Sequence, residues 1–245
     1  MENLIEPVEA ANVLHLRRKY RARANPIMTI ALGMRLKDGG IILGADRLLS
    51  TERHHFTDEK LTLYPTNNGI IFFAFADSPV TAREVRQKIE AQVTALPESE
   101  TTLEKLGQLS EEVINDVYAK RLGAMPLQLL IVGAVPGEGT QMWFYDGEGG
   151  FNIASQFVIL GAGESSLIRY LERAYSWTDS IESAENVAIY LIHQAEQFIP
   201  GCKGIDIMSI SNDEDWNWLN EREIEVRLEV MKAREKDQLR KIVTG

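Results

Sequence analysis

The most constraining stretch of this chain is a pair of apolar runs around one tight turn: Thr29 to Leu36, Lys37-Asp38-Gly39-Gly40, and Ile41 to Arg47. Two glycines able to take positive φ sit between runs of strand-forming residues, so the segment predicts an antiparallel hairpin. Its ends are chemically marked. Thr29 follows Met28 and opens the first strand, Asp46 closes the second, and Lys60 follows 14 residues after that aspartate.

The rest of the chain continues in blocks. Lys60 to Tyr64 and Ile70 to Ala76 read as a second strand pair around Pro65-Thr66-Asn67-Asn68-Gly69, with Ser50 to Asp58 a polar excursion before it. Two helices follow, from Ser78-Pro79 to about Ala95 and from Thr101 or Thr102 to about Leu122; a proline in the first turn opens the former. Strands return at Leu127 to Val135, Met142 to Tyr145 and Asn152 to Leu160. Helices then span Ser165 to Tyr175 and Ser183 to Phe198, a last strand Gly204 to Ile210, and a charged helix Leu219 to Ile242 with a thin stripe of Ile224, Leu228, Met231 and Leu239. Strand blocks separated by helix pairs predict an α+β chain, a four-layer αββα sandwich of two antiparallel sheets flanked by helix pairs.

Composition narrows the function classes. A formal net charge of −10 argues against a general nucleic-acid binder, whose affinity comes from clustered Lys and Arg. The lone Cys202 excludes an internal disulfide. The longest apolar run, Ile70 to Ala76, has seven residues, far short of a membrane span of roughly 20. Residues 1–27 carry a basic cluster, Arg17 to Arg23, with no apolar core behind it, so they do not read as a secretory signal. A cytoplasmic location is the expectation. The chain divides into a leader or propeptide-like segment 1–27, a main domain 28–212 and a charged helical extension 213–245. The first segment reads as removed, as upstream sequence ahead of a start at Met28, or as a helix that stays attached.

The chemistry centres on Thr29. A hydroxyl is a weak nucleophile at neutral pH, and an adjacent N-terminal amine, of ordinary pKa about 7.7–8.0, can take its proton. One terminal threonine would therefore supply nucleophile and base together.

Thr29-x-x-x-Gly33, Lys37-Asp38-Gly39, Gly44-Ala45-Asp46-Arg47, Lys60, Gly161-x-Gly163 and the order of elements resemble a proteasome β-type subunit. Bacterial proteasome-like peptidases of the N-terminal-nucleophile (Ntn) hydrolases share the pattern, over about Thr29 to Ile210. The resemblance implies a threonine peptidase with Thr29 as nucleophile, Lys60 tuning its amine and Asp46 holding Lys60. It also implies no metal or organic cofactor, self-association into a ring or similar homo-oligomer, unfolded polypeptide or peptide substrates, and an ATPase partner. A non-catalytic scaffold subunit of the same fold is the alternative. Three departures bear on the choice: no glycine occurs in Phe73-Ala74-Phe75-Ala76, Ala162 replaces the serine of Gly-Ser-Gly, and no aspartate–serine pair lies in Gln194 to Lys203. A phenylalanine near the oxyanion hole would crowd a substrate.

Other residues read more plainly. His54-His55 with Asp58 and Glu59 lacks recognisable ligand spacing. His193 in an apolar helix reads as a satisfied core or interface histidine. Cys202 beside Lys203 is a weak thiol candidate, and Gly161-Ala162-Gly163-Glu164 a packing turn. Trp216-Asn217-Trp218 reads as a dock for a neighbouring subunit or as a solvated arm.

Overall fold

The computed structural model describes residues 29–50, 55–57, 59–120, 127–147, 150–161, 164–175, 179–199, 201–211 and 215–244. The leader assigned to 1–27 lies outside the described residues.

The expected sandwich is present: two antiparallel five-stranded sheets with five helices on their outer faces. The strands are β1 (Ile30–Arg35), β2 (Ile41–Asp46), β3 (Leu48–Ser50), β4 (His55–Thr57), β5 (Leu61–Thr66) and β6 (Gly69–Asp77). They continue with β7 (Leu127–Val135), β8 (Gly139–Tyr145), β9 (Phe151–Ile153), β10 (Phe157–Gly161), β11 (Ile205–Ile210) and β12 (Trp216–Trp218). The helices are α1 (Pro79–Val93), α2 (Leu103–Lys120), α3 (Glu164–Ala174), α4 (Ile181–Phe198) and α5 (Glu221–Thr244). One sheet runs β10-β1-β2-β11-β12 and the other β5-β6-β7-β8-β9; β3 and β4 form a small separate pair.

Period-two alternation sorts side chains into three apolar layers. On β1, Ile30, Leu32 and Met34 pack with α3, α4 and α5, while Ala31 faces the other sheet. On β6, Ile71, Phe73 and Phe75 pack under α1 and α2, while Phe72, Ala74 and Ala76 face inward. The strands are buried on both faces, so they read as continuous apolar runs. Close sheet contact is helped by Gly33, where a Cβ would lie 2.6 Å from both Leu130 and Met142.

The structure differs from the sequence expectation at three short elements. Part of the polar excursion pairs as β3 with β4. The run Asn152 to Leu160 is broken: the Ala154 amide donates to the Met142 carbonyl, the Gln156 carbonyl accepts from Arg35, and the chain thereby crosses from one sheet to the other. Trp216–Trp218 is an edge strand paired with β11. Among the described residues no helix is long and apolar enough to cross a membrane.

Leu130, fully buried between the sheets, tests the layering. Leu130→Ala is expected to lower unfolding free energy by about 2–5 kcal/mol, read from denaturant midpoints at an unchanged m-value.

Candidate active site

Strand ends collect at one end of the sandwich. Ile30 lies opposite Gly161, Ala31 opposite Ala45, Asp46 opposite Ile205, Leu61 opposite Ala74 and Asp77 opposite Leu127. Thr29, Asp46 and Lys60 all fall at that end, and all three are fully buried.

Asp46 joins them. Its Oδ1 accepts the Ile30 amide at 2.8 Å and the Lys60 ammonium at 2.7 Å. One carboxylate oxygen thus ties the residue after Thr29 to the lysine ahead of β5. Lys60 Nζ also donates to the Leu48 carbonyl at 2.6 Å. Thr29 Oγ1 is buried without a hydrogen-bond partner, an unusual state for a hydroxyl.

Burial dominates both ionisable groups. It raises the Asp46 carboxyl above its ordinary range, against the pull of the Lys60 ammonium and the Ile30 amide. It lowers the Lys60 amine, against the stabilising charge of Asp46. Both groups are therefore easier to neutralise than in water.

The surroundings hold this pair from three sides. Arg86 of α1, itself buried, donates through Nη1 to the carbonyl of Glu59 at 3.2 Å and to Thr62 Oγ1 at 3.0 Å, bracing the chain around Lys60. The Lys203 carbonyl accepts the amides of Arg47 and Leu48 at 2.9 and 3.1 Å. Arg47 then reaches Asp206 at 2.7 Å and Glu221 of α5 at 2.9 Å. On the other flank Gly161 has φ +98, and a Cβ there would lie 2.0 Å from the Thr29 carbonyl oxygen. Only glycine fits that conformation and that space. Its amide donates to Gln128 Oε1 at 2.6 Å. Gln128 in turn lines a groove of about 480 Å³ with Phe144, Asp146, Ile153 and Ile168.

Several expectations change in three dimensions. Phe73 and Phe75 do not crowd the site, because alternation sends both rings into the layer beneath α1 and α2. The β6 residue beside Gly161 is Ala76, whose Cβ lies 3.2 Å from the position a Gly161 Cβ would take. Cys202 is buried, and burial reinforced by the Asp46 charge pushes its thiol well above the ordinary range. It is therefore a poor thiolate, and Lys203 does not alter that. His193 Nδ1 pairs with Glu196 Oε2 at 3.1 Å, a satisfied histidine as expected. Gly161 closes β10; the centre of the turn expected after it, Ala162 and Gly163, lies outside the described residues, as do His54 and Asp58. No group of three or more metal-ligating side chains occurs among the described residues. Sequence reasoning missed Arg86, Gln128 and Glu196, whose partners are distant in the chain and leave no local signal.

No family model and no curated protein matches the chain. Solved structures do, at the level of fold. An Anbu protein, described as an ancestral beta-subunit, from Yersinia bercovieri superposes with TM-score 0.74 at 16% identity, over 88% of this chain and 97% of that one. A Gly-1 mutant of Anbu from Hyphomicrobium sp. strain MC1 gives 0.72 at 14% identity, over 87% and 99%. A helical assembly of the Anbu complex from Pseudomonas aeruginosa gives 0.72 at 15%, over 87% and 96%. These matches show the proteasome-like sandwich fold. They also correct the resemblance drawn from sequence: these neighbours are Anbu proteins, a family distinct from the proteasome β-type subunits and bacterial proteasome-like peptidases. The strand-pair motif goes with the fold and does not discriminate between branches that share it.

Lys60→Met tests the buried pair. Leaving the Asp46 carboxylate buried without its cation is expected to cost about 3–5 kcal/mol at neutral pH. Asp46 has a raised folded-state pKa, so the cost of burying its charge is present above that pKa and vanishes below its unfolded value. The stability gap between variant and wild type should therefore narrow as pH falls through the raised Asp46 pKa, in unfolding midpoints measured across acid pH.

Proposed function

We propose that this protein is a threonine peptidase built on the proteasome-like fold, acting on unfolded polypeptide or peptides through Thr29. The observation that carries the reading is the shared Asp46 oxygen, which fixes the Lys60 ammonium beside the amide that follows Thr29. The unpartnered Thr29 hydroxyl next to it supports the same reading. For Thr29 to act, its amine must be free and its hydroxyl reachable, so the bond to residue 28 has to be cut or never made.

In this reading the freed α-amine accepts the hydroxyl proton, and Oγ1 attacks the substrate carbonyl to form a tetrahedral oxyanion. Lys60 favours the neutral amine by like-charge repulsion and stabilises the developing negative charge, and Asp46 keeps the lysine in place. An oxyanion donor would come from the β6 backbone past Ala74, where the ladder with β5 ends. Collapse expels the substrate amine, which takes the proton held on the α-amine, and leaves an ester on Thr29. Water then attacks that ester, with the α-amine again as base. The groove beside Gln128 adjoins this end and offers one acidic side chain, Asp146, in a mixed polar and apolar lining. Self-association into a ring or helical homo-oligomer belongs to the reading, supported by the helical assembly of the Pseudomonas aeruginosa Anbu complex. An ATPase partner, a cytoplasmic location, a removable leader and a C-terminal helical extension complete it.

A second reading, a non-catalytic scaffold of the same fold, is favoured by the complete burial of Thr29 in the chain that carries residues ahead of it. Intact-mass measurement separates the two. Peptidase activity predicts a protein beginning at Thr29 that cleaves fluorogenic peptides, with Thr29→Ala reducing kcat by about 10³-fold or more. A protein retaining residues 1–28 and inert toward peptides is the scaffold.

A further inference from the structure

Asp46 and Lys60 explain how Thr29 is flanked, but Lys60 has a second acceptor, the Leu48 carbonyl, whose own position needs a cause. Leu48 begins the short β3, two residues beyond the end of β2. What holds it is the turn before β11: the Lys203 carbonyl receives the amides of both Arg47 and Leu48. Gly204 in the same turn has φ +73 and packs directly on Arg47, where a Cβ would come 3.1 Å from three carbons of that side chain.

That turn is fastened from behind. Glu196, in the last turn of α4, accepts the Gly204 amide on Oε1 at 2.6 Å, while Oε2 faces His193 Nδ1 at 3.1 Å. The carboxylate side chain is only 20% exposed. A short bond from a backbone amide to a largely buried carboxylate is of the stronger, charge-assisted kind. A continuous series of hydrogen bonds and peptide units then runs from Glu196 through Gly204, Lys203 and Leu48 to the Lys60 ammonium, Asp46 and the Ile30 amide. No aspartate or serine lies between Gln194 and Lys203, just ahead of β11. Glu196 reaches the same turn from one helix away.

We infer that Glu196 is a positioning residue of the site: through the 201–204 turn it sets the Leu48 carbonyl, and through that carbonyl the direction of the Lys60 ammonium. It touches neither substrate nor Thr29. The inference rests on the peptidase reading for its consequence in rate. Its mechanical part, the bracing of the Arg47–Leu48 segment, stands without it.

Three variants of the full chain test it: Glu196→Ala removes the acceptor, Glu196→Gln keeps a carbonyl oxygen at the same reach, and Glu196→Asp keeps the charge one methylene short. With fluorogenic peptides, Glu196→Ala and Glu196→Asp are expected to lower kcat by about 10- to 100-fold, as a misplaced catalytic group does. KM should stay within about twofold, and Glu196→Gln should recover most of kcat. Acylation of Thr29 by a β-lactone, followed by intact mass, should slow in the same order. An unchanged kcat in Glu196→Ala, a loss confined to KM, or a Glu196→Gln as impaired as Glu196→Ala would each overturn the inference. If the wild type neither cleaves peptides nor is acylated at Thr29, the peptidase reading fails, and amide hydrogen exchange then decides the bracing. Glu196→Ala should speed exchange at Arg47, Leu48 and Gly204 while Glu196→Gln does not, and equal protection in all three variants sinks it.

Discussion

A single carboxylate oxygen, shared between an ammonium and a backbone amide, organises this molecule. Asp46 Oδ1 fastens the start of β1 to the chain that enters β5, joining the two sheets at the end where Thr29 lies. Neither charge touches solvent. Buried ion pairs of this sort contribute little to stability beyond what apolar side chains of similar volume would supply, because removing both charges from water costs about as much as their attraction returns. Taking away one member is another matter, since the other is then left charged and unpaired. The arrangement is best understood as one that fixes geometry and shifts proton affinities, and it sits where a threonine hydroxyl lacks a partner.

The sandwich makes that arrangement possible by bringing strand termini together. Antiparallel pairing places the beginning of β1 against the ends of β2 and β10, and stacking lays these over the end of β6. Regular structure therefore supplies the frame, and the irregular residues just beyond each strand supply the contacts. Asp77, at the end of β6, has φ +75, a conformation few residues other than glycine adopt. It marks the same end of the molecule as a place where backbone regularity is given up.

Much of this was legible in the sequence. The hairpin from Thr29 to Arg47 declared itself by its apolar runs and its glycine turn, and the alternation of strand blocks with helix pairs implied the layers. The grouping of Thr29, Asp46 and Lys60 followed from a resemblance whose family name the structural neighbours then corrected. Three-residue strands such as β4 and β12 escaped because so short a run carries no readable period. The fear that phenylalanines would obstruct the site arose from reading Phe73 to Ala76 as a linear string, although period-two alternation already separates Phe73 and Phe75 from Ala74 and Ala76. Arg86, Gln128 and Glu196 could not be found at all, because each acts on a backbone group brought near only by folding.

Gly161 carries a consequence for the lineage of such chains. The oxygen of Thr29 occupies the volume where any other residue would begin its side chain, so this position tolerates glycine alone. A descendant that mutates it cannot keep its first strand seated as here. Drift elsewhere in the sandwich can be gradual, whereas drift at this point requires the entry to β1 to be rebuilt in a single step.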